Sequence, residues 1–314
     1  MSPQRTLFEL LRPTFDGIAA WNRPREKPLF IVGHGRSGTT WVGRTFSRHP
    51  LVLYYNEPCH FGHESKDGLY SNFMTYVRTN EDAGLFKRHL DTAMSGRLLW
   101  KSAEWARQRG KVLRRLSGPY RIVIKEVASL MSLEWVRRQY APEFLVLYRH
   151  PCSIALSEVE RRIDGAYSRD KLLGLTALFA DHLHPYEAVI RKARRPYELF
   201  GAIYGARNRI LANFVERHGI GAVFLYENLC RSPSDRFREL FGRYGLDLPA
   251  DVASYIAKHT TTEEPGEYNT TKDSLAHMEK WKRILTQEEA FQVRDFVLPF
   301  GLPYYDDPAD YLLT

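Results

Sequence analysis

The chain has 314 residues, 44% of them hydrophobic and 26% charged, with a net charge of +8. That composition excludes bulk disorder and supplies enough apolar material for a core, while the basic balance favours an anionic partner without choosing between nucleic acid, acidic lipid, nucleotide and sulfated glycan. No apolar run approaches the ~18 residues of a membrane-spanning helix.

The N-terminal segment lacks the basic head, apolar run and small cleavage residues of a secretory leader. Leu7, Leu11, Phe15 and Ile18 form a helical stripe that Pro13 is expected to interrupt, and residues 1–27 read as an extension packed on the domain that follows. The three cysteines, Cys59, Cys152 and Cys230, are odd in number and widely spaced. They form no disulfide framework, so a reducing, cytoplasmic setting is expected.

LFIVG (29–33) reads as a buried strand entering a turn, followed by a helix from about Thr39 to Arg48. LVLYY (51–55) is a second strand, expected beside the first, and a polar loop follows over 56–68. Residues 69–117 read as mostly helical, with a basic stretch at 107–115 whose plain reading is a solvated face. RIVIK (121–125) and FLVLY (144–148) are further strands, each followed by a helix, the second initiated by Pro151. AVFLY (222–226) is the fifth strand, and the rest reads as helix apart from a polar loop at 259–275. Continuous apolar strands alternating with helices predict an α/β fold, a mostly parallel sheet flanked by helices on both faces, in one domain spanning 28–314. Ligands of such sheets bind where strands end.

The sharpest local feature is GHGRSGTTW (33–41), directly after the first strand. Its G-x-x-x-x-G-T-T pattern turns backbone N–H groups inward and adds the positive end of the next helix, which suits an anion. The lysine of the nucleoside-triphosphate version of this loop is replaced by Thr39, and Arg36 stands inside the turn. This argues against a phosphotransferase using ATP, which remains the alternative enzyme class; a nucleotide-binding module without catalysis is a third reading. A second anion site is suggested by YRHPCSIALSEVERR (148–162), where Arg149 leaves a strand end and Ser153 and Ser157 lie one helical turn apart.

FIVGHGRSGTTW resembles the 5′-phosphosulfate loop of the sulfotransferases, in the form with arginine found in their tyrosylprotein and carbohydrate branches. Arg-x-Pro followed by Ser157 resembles the 3′-phosphate motif of the same family, and VFLYENL (223–229) its strand-Tyr-Glu segment. The resemblance implies a P-loop-like fold and a donor, 3′-phosphoadenosine 5′-phosphosulfate (PAPS), leaving as the bisphosphate PAP. It implies that Gly35, Arg36, Ser37, Gly38, Thr39 and Thr40 bind the 5′ end of the donor, Arg149 and Ser157 the 3′-phosphate, and Trp41 and Tyr226 the adenine. Ser153 is left as a helix-surface or capping residue. The partner implied is a small-molecule or glycan acceptor; no nucleic acid partner and no transmembrane segment are expected. Thr260 and Lys272 are weaker candidates, in the region where the family has a donor-covering loop.

Transfer to a hydroxyl needs a base. Glu57, at the end of the second strand, matches the position of the glutamate base in the tyrosylprotein and heparan branches, and the strand ending in Lys125 is followed by no histidine. The catalytic set expected is therefore Arg36, Glu57 and Lys125, with His60 the rival base. Cys59, His60 and His63 invite a metal reading, but their spacing supplies no complete ligand set, and no metal is expected.

Overall fold

The computed structural model describes residues 3–24, 26–59, 75–97, 119–261 and 274–313. The chain divides into two compact units, one of residues 1–32 and 40–145, the other of residues 33–39 and 146–314. Within each unit the strands pair in parallel.

In the first unit α1 (Pro3–Trp21) is followed by β1 (Leu29–Gly33), α2 (Thr39–Phe46), β2 (Val52–Asn56), α3 (Gly84–Met94), β3 (Arg121–Lys125), α4 (Leu133–Tyr140) and the start of β4 (Glu143–Tyr148). β1 is buried along its whole length, and β2 and β3 are buried save one terminal residue each. This is why these strands read as unbroken apolar runs rather than alternating ones. β3 pairs in parallel with β1, Ile31 opposite Lys125, and with β2, Asn56 opposite Lys125. The expectation that the second strand neighbours the first is thus corrected, because β3 lies between them. Strand adjacency is set by pairing across the fold and leaves no mark in a local apolar run. The helix α1 also runs through Pro13 instead of breaking there. A proline removes one ladder hydrogen bond and need not end a helix; Phe8 and Ala19 are buried on either side of it, while Leu7 of the expected stripe is half exposed.

In the second unit the end of β4 pairs in parallel with β5 (Val223–Leu225), Val146 opposite Val223 and Tyr148 opposite Leu225. β4 leads into α5 (Pro151–Glu160), with Pro151 in its first turn as expected and the His150 side chain accepting the Cys152 N–H at 3.2 Å. Then come α6 (Gly165–Leu173), α7 (Pro196–His218), α8 (Tyr226–Arg231), α9 (Pro233–Arg243), α10 (Ala250–Thr261), α11 (Ser274–Met278), α12 (Lys280–Ile284) and α13 (Gln287–Val297). Tyr226, expected at the end of a strand, opens α8. The polar stretch from 259 begins inside α10, where Thr260 returns its hydroxyl to the Ile256 carbonyl at 2.9 Å. Among the described residues no helix is long and apolar enough to cross a membrane.

Candidate active site

The loop of residues 33–39 needs glycine at two places for different reasons. A Cβ on Gly33 would lie 2.5 Å from the Leu147 carbonyl oxygen, so β4 and the loop approach only because nothing is there. Gly38 has φ +90°, and a Cβ on it would lie 2.4 Å from the Tyr226 ring. Arg36 also adopts the left-handed region, at φ 69°, without being glycine. That conformation costs roughly 1–2 kcal/mol for a side-chain-bearing residue, and such strain concentrates at functional sites.

Three bonds hold Arg36 and Arg149 in place. Arg36 Nε donates to Ser157 Oγ at 3.0 Å. Arg149 Nη1 donates to the Arg36 carbonyl at 2.9 Å. The Tyr204 hydroxyl donates to the Arg149 carbonyl at 2.9 Å. Because Tyr148 and Leu225 are opposite in register, the residues that follow them, Arg149 and Tyr226, emerge side by side. The Arg149 guanidinium sits 4.4 Å from the centre of the Tyr226 ring. The expected loop, the strand-end arginine, Ser157 and Tyr226 are therefore brought together. The Tyr226 ring is buried, packed against Gly38 and beneath Arg149.

These residues border a cavity of about 150 Å³, lined by Arg36, Arg149 and Ser157 and also by Glu160, Arg161 and Lys280. The last three were not expected. Glu160 and Arg161 were within reach of the sequence, since they fall three and four positions after Ser157 and so share its helix face. Lys280 comes from α12, and no local pattern marks it. Its ammonium pairs with both oxygens of Glu160, at 2.6 and 2.8 Å. Trp281 beside it is buried and stacks on His150, centroids 4.4 Å apart and rings 8° from parallel. His150 is a neutral imidazole. Burial and the charges of Lys282 and Arg149 lower its pKa to about 3, against an opposing bond to the Asp310 carbonyl. Its Nδ1 accepts from Cys152 N–H, so its Nε2 carries the proton and donates to Asp310 at 3.0 Å. Ser153 is buried rather than at the helix surface, its hydroxyl 3.4 Å from the Met278 carbonyl. It faces α11, which the local sequence around α5 does not reveal.

Behind the loop lies a buried layer that sequence reasoning also missed. His34 packs against the Tyr204 ring, 5.6 Å between centroids. Burial, reinforced by Arg207, lowers its pKa to about 3, and its Nδ1 donates to the Gly35 carbonyl at 2.8 Å. Arg207, one turn beyond Tyr204 on α7, is itself buried, which lowers its pKa to about 10, while Glu158 opposes that shift. The Glu158 carboxyl is raised by burial, against the pull of Arg161, Arg36 and Arg207.

Two polar atoms fit this site to an anionic ligand. Ser37 Oγ and Arg149 Nε are buried and have no hydrogen-bond partner among the described residues. Buried polar groups are usually satisfied, so the orphaned Arg149 N–H, with Arg36, Arg161 and Lys280 lining the same cavity, and the orphaned Ser37 hydroxyl in the turn suit a phosphate-bearing ligand. Thr39 is buried at the start of α2.

In the first unit Thr40 is partly buried and Trp41 fully so on α2, with Thr45 Oγ1 donating to the Trp41 carbonyl at 2.9 Å. Glu57 follows β2 at φ 49°, its N–H donating to the Lys125 carbonyl at 2.7 Å. Its carboxylate pairs with the Lys125 ammonium. Lys125 is 3% exposed and Glu57 20%, so the acid has the freer face. Glu126, fully buried, receives the N–H groups of Cys59 at 2.7 Å and Ala128 at 2.9 Å, which fixes the chain on both sides of the pair. His60, His63, Lys272 and the 107–115 stretch lie outside the described residues. Among the described residues no three His, Cys, Asp or Glu side chains are grouped to hold a metal.

A family model described as Sulfotransferase family matches residues 28–250. Solved structures found similar to the chain include the sulfotransferase domain from the curacin biosynthetic pathway, at 17% identity and TM-score 0.48, covering 89% of this chain and all of that one. The sulfotransferase domain of the Synechococcus PCC 7002 olefin synthase gives 16% identity and TM-score 0.48, covering 91% and 98%. Sulfotransferase STF9 from Mycobacterium avium gives 13% and 0.40, covering 84% and 78%. No curated protein matches the chain.

Proposed function

The chain belongs to the sulfotransferase family, and from that premise we propose that it transfers the sulfuryl group of PAPS to a hydroxyl of a carbohydrate or other small-molecule acceptor, with Glu57 as the base. The observation that supports the donor reading is the joining of a Gly-rich anion turn to an adjacent cationic cavity, with Arg36 standing in the turn and Arg149 and Ser157 on the cavity's other side. A nucleotide with phosphate at both its 5′ and 3′ ends asks for two such places, and ATP does not.

When bound, PAPS supplies the activated sulfuryl group. Sulfuryl transfer resembles phosphoryl transfer, in line and through a loose transition state, so the protein contributes positioning and charge more than covalent chemistry. The inward-facing N–H groups of the turn and the Arg36 guanidinium neutralise charge building on the departing 5′-phosphate, while the Ser37 N–H closes the turn on the His34 carbonyl at 3.1 Å. Arg149 and Ser157 hold the 3′-phosphate. Ser37 Oγ adds a donor that the fold leaves unused. Glu57 accepts the hydroxyl proton at its carboxylate, and Lys125 orients that carboxylate and adds positive charge. The test is transfer from labelled PAPS to a panel of hydroxyl acceptors, with PAP as co-product. Transfer from ATP with Mg²⁺ in place of transfer from PAPS would overturn the reading.

A further inference from the structure

The cavity beside Ser157 has a charge problem when it holds no ligand. Arg36, Arg149, Arg161 and Lys280 border it, and Glu160 is the one carboxylate among its lining residues. Glu160 takes Lys280 through both carboxylate oxygens, in the geometry a phosphate would offer the same ammonium. The side chains of the pair remain well exposed, Lys280 at 36% and Glu160 at 43%. Exposed ion pairs contribute little and break readily. The backbone at Lys280 is by contrast fixed, because Trp281 is buried and stacked on His150. A lysine is a compact charge on a flexible stem with three rotatable donors. Here the stem is rooted at the cavity wall and only its tip is committed.

We propose that Glu160 is a resident counter-ion which Lys280 leaves on ligand binding, so that Lys280 becomes a further ligand of the terminal phosphate and Glu160 sets how tightly that phosphate is held. The proposal rests on the donor reading above and adds to it a residue pair from two helices 120 positions apart. The exchange requires no backbone movement. The Lys280 ammonium passes from carboxylate to phosphate, and Glu160 turns into solvent. On departure of the bisphosphate the carboxylate recaptures the lysine, which keeps product affinity from rising.

The experiment is a double-mutant cycle read by calorimetric affinity for PAP, with adenosine 5′-monophosphate as the control lacking the 3′-phosphate. Lys280→Gln should weaken PAP about 10-fold, and Glu160→Gln should tighten it about 10-fold. In the Lys280→Gln background Glu160→Gln should change PAP affinity by less than about 2-fold, because the carboxylate acts by competing for that lysine. Affinity for the monophosphate should stay within about 2-fold in all variants. An unchanged PAP affinity in Lys280→Gln overturns the proposal. So does an undiminished gain from Glu160→Gln without Lys280, which would make Glu160 a through-space repeller. Equal binding of PAP and the monophosphate by the unmodified protein would instead overturn the donor reading, and the exchange with it.

Discussion

Arg36 and Ser157, 121 residues apart, meet through a 3.0 Å hydrogen bond from Nε to Oγ. One belongs to the turn after β1 and the other to the second turn of α5, so each of the two anion motifs contributes one partner. Arg149 closes the same arrangement from the other side by donating to the Arg36 carbonyl at 2.9 Å. On the proposed reading a phosphate would meet donors already mutually positioned, which reduces the ordering cost of binding.

Arg149→Ala should cost about 1.5–3 kcal/mol of PAP affinity, the range for a charged hydrogen bond. The bond to the Arg36 carbonyl makes part of that loss structural. Arg149→Lys keeps the charge but loses the planar fork, and so should recover only part of the affinity. Calorimetry on both variants measures this, and full recovery in the lysine variant would reduce Arg149 to a point charge.

Gly38→Ala should destabilise the protein by at least about 1 kcal/mol from backbone conformation alone, since φ is +90°. The added methyl would also meet the Tyr226 ring at 2.4 Å. Adding Tyr226→Ala should relieve the contact but not the backbone term. Denaturant unfolding of the single and double variants separates the two, and a neutral Gly38→Ala would contradict the loop geometry.

The pH dependence of stability follows from His34 and His150. Both have folded pKa values lowered to about 3, chiefly by burial, from an ordinary 6.5. The unfolded chain therefore binds protons that the folded one refuses between those values. Their stabilising contribution is complete above about pH 6.5 and is lost as pH falls toward 3. His34→Asn should remove about one proton from the uptake on unfolding near pH 5 while leaving the contribution of His150. Melting temperature against pH, compared between variant and parent, reads this directly. Identical slopes would mean that His34 is not held neutral.

What the sequence disclosed is what is encoded locally. RIVIK is β3 residue for residue, Pro151 opens its helix, and the Gly-rich turn and Arg149-to-Ser157 spacing need only neighbouring positions to be seen. What stayed hidden depends on distant packing. The insertion of β3 between β1 and β2 is a property of pairing, and buried strands carry no record of their neighbours. Arg207 looked like any charged residue in a long helix until its burial beside His34 was seen. Lys280 sits among Glu279, Trp281 and Lys282, where the plain expectation is a solvated helix face; only the meeting of α12 with α5 puts it at the cavity.

The last prediction concerns the base. Glu57 sits at the carboxyl end of β2, its N–H bound to the Lys125 carbonyl and its side chain to the Lys125 ammonium. A residue held at φ 49° by two bonds to one neighbour is oriented, and its 20% exposure leaves the carboxylate approachable, whereas Lys125 is buried. Glu57→Gln preserves shape and removes only the proton-accepting charge. Turnover should fall by about 10²-fold or more, the scale of a lost general base, with PAP affinity unchanged. The substitution leaves the Lys125 charge buried without its counter-ion, so some loss of stability is expected as well. Turnover must therefore be measured well below the melting temperature of the variant. Lys125→Met supplies the complementary case: Glu57 keeps its charge but loses its orienting partner, so turnover should fall less than in Glu57→Gln. Near-normal turnover in Glu57→Gln together with collapse in His60→Ala would transfer the role to the histidine. Loss of PAP binding in a folded Glu57→Gln protein would make the carboxylate a structural one.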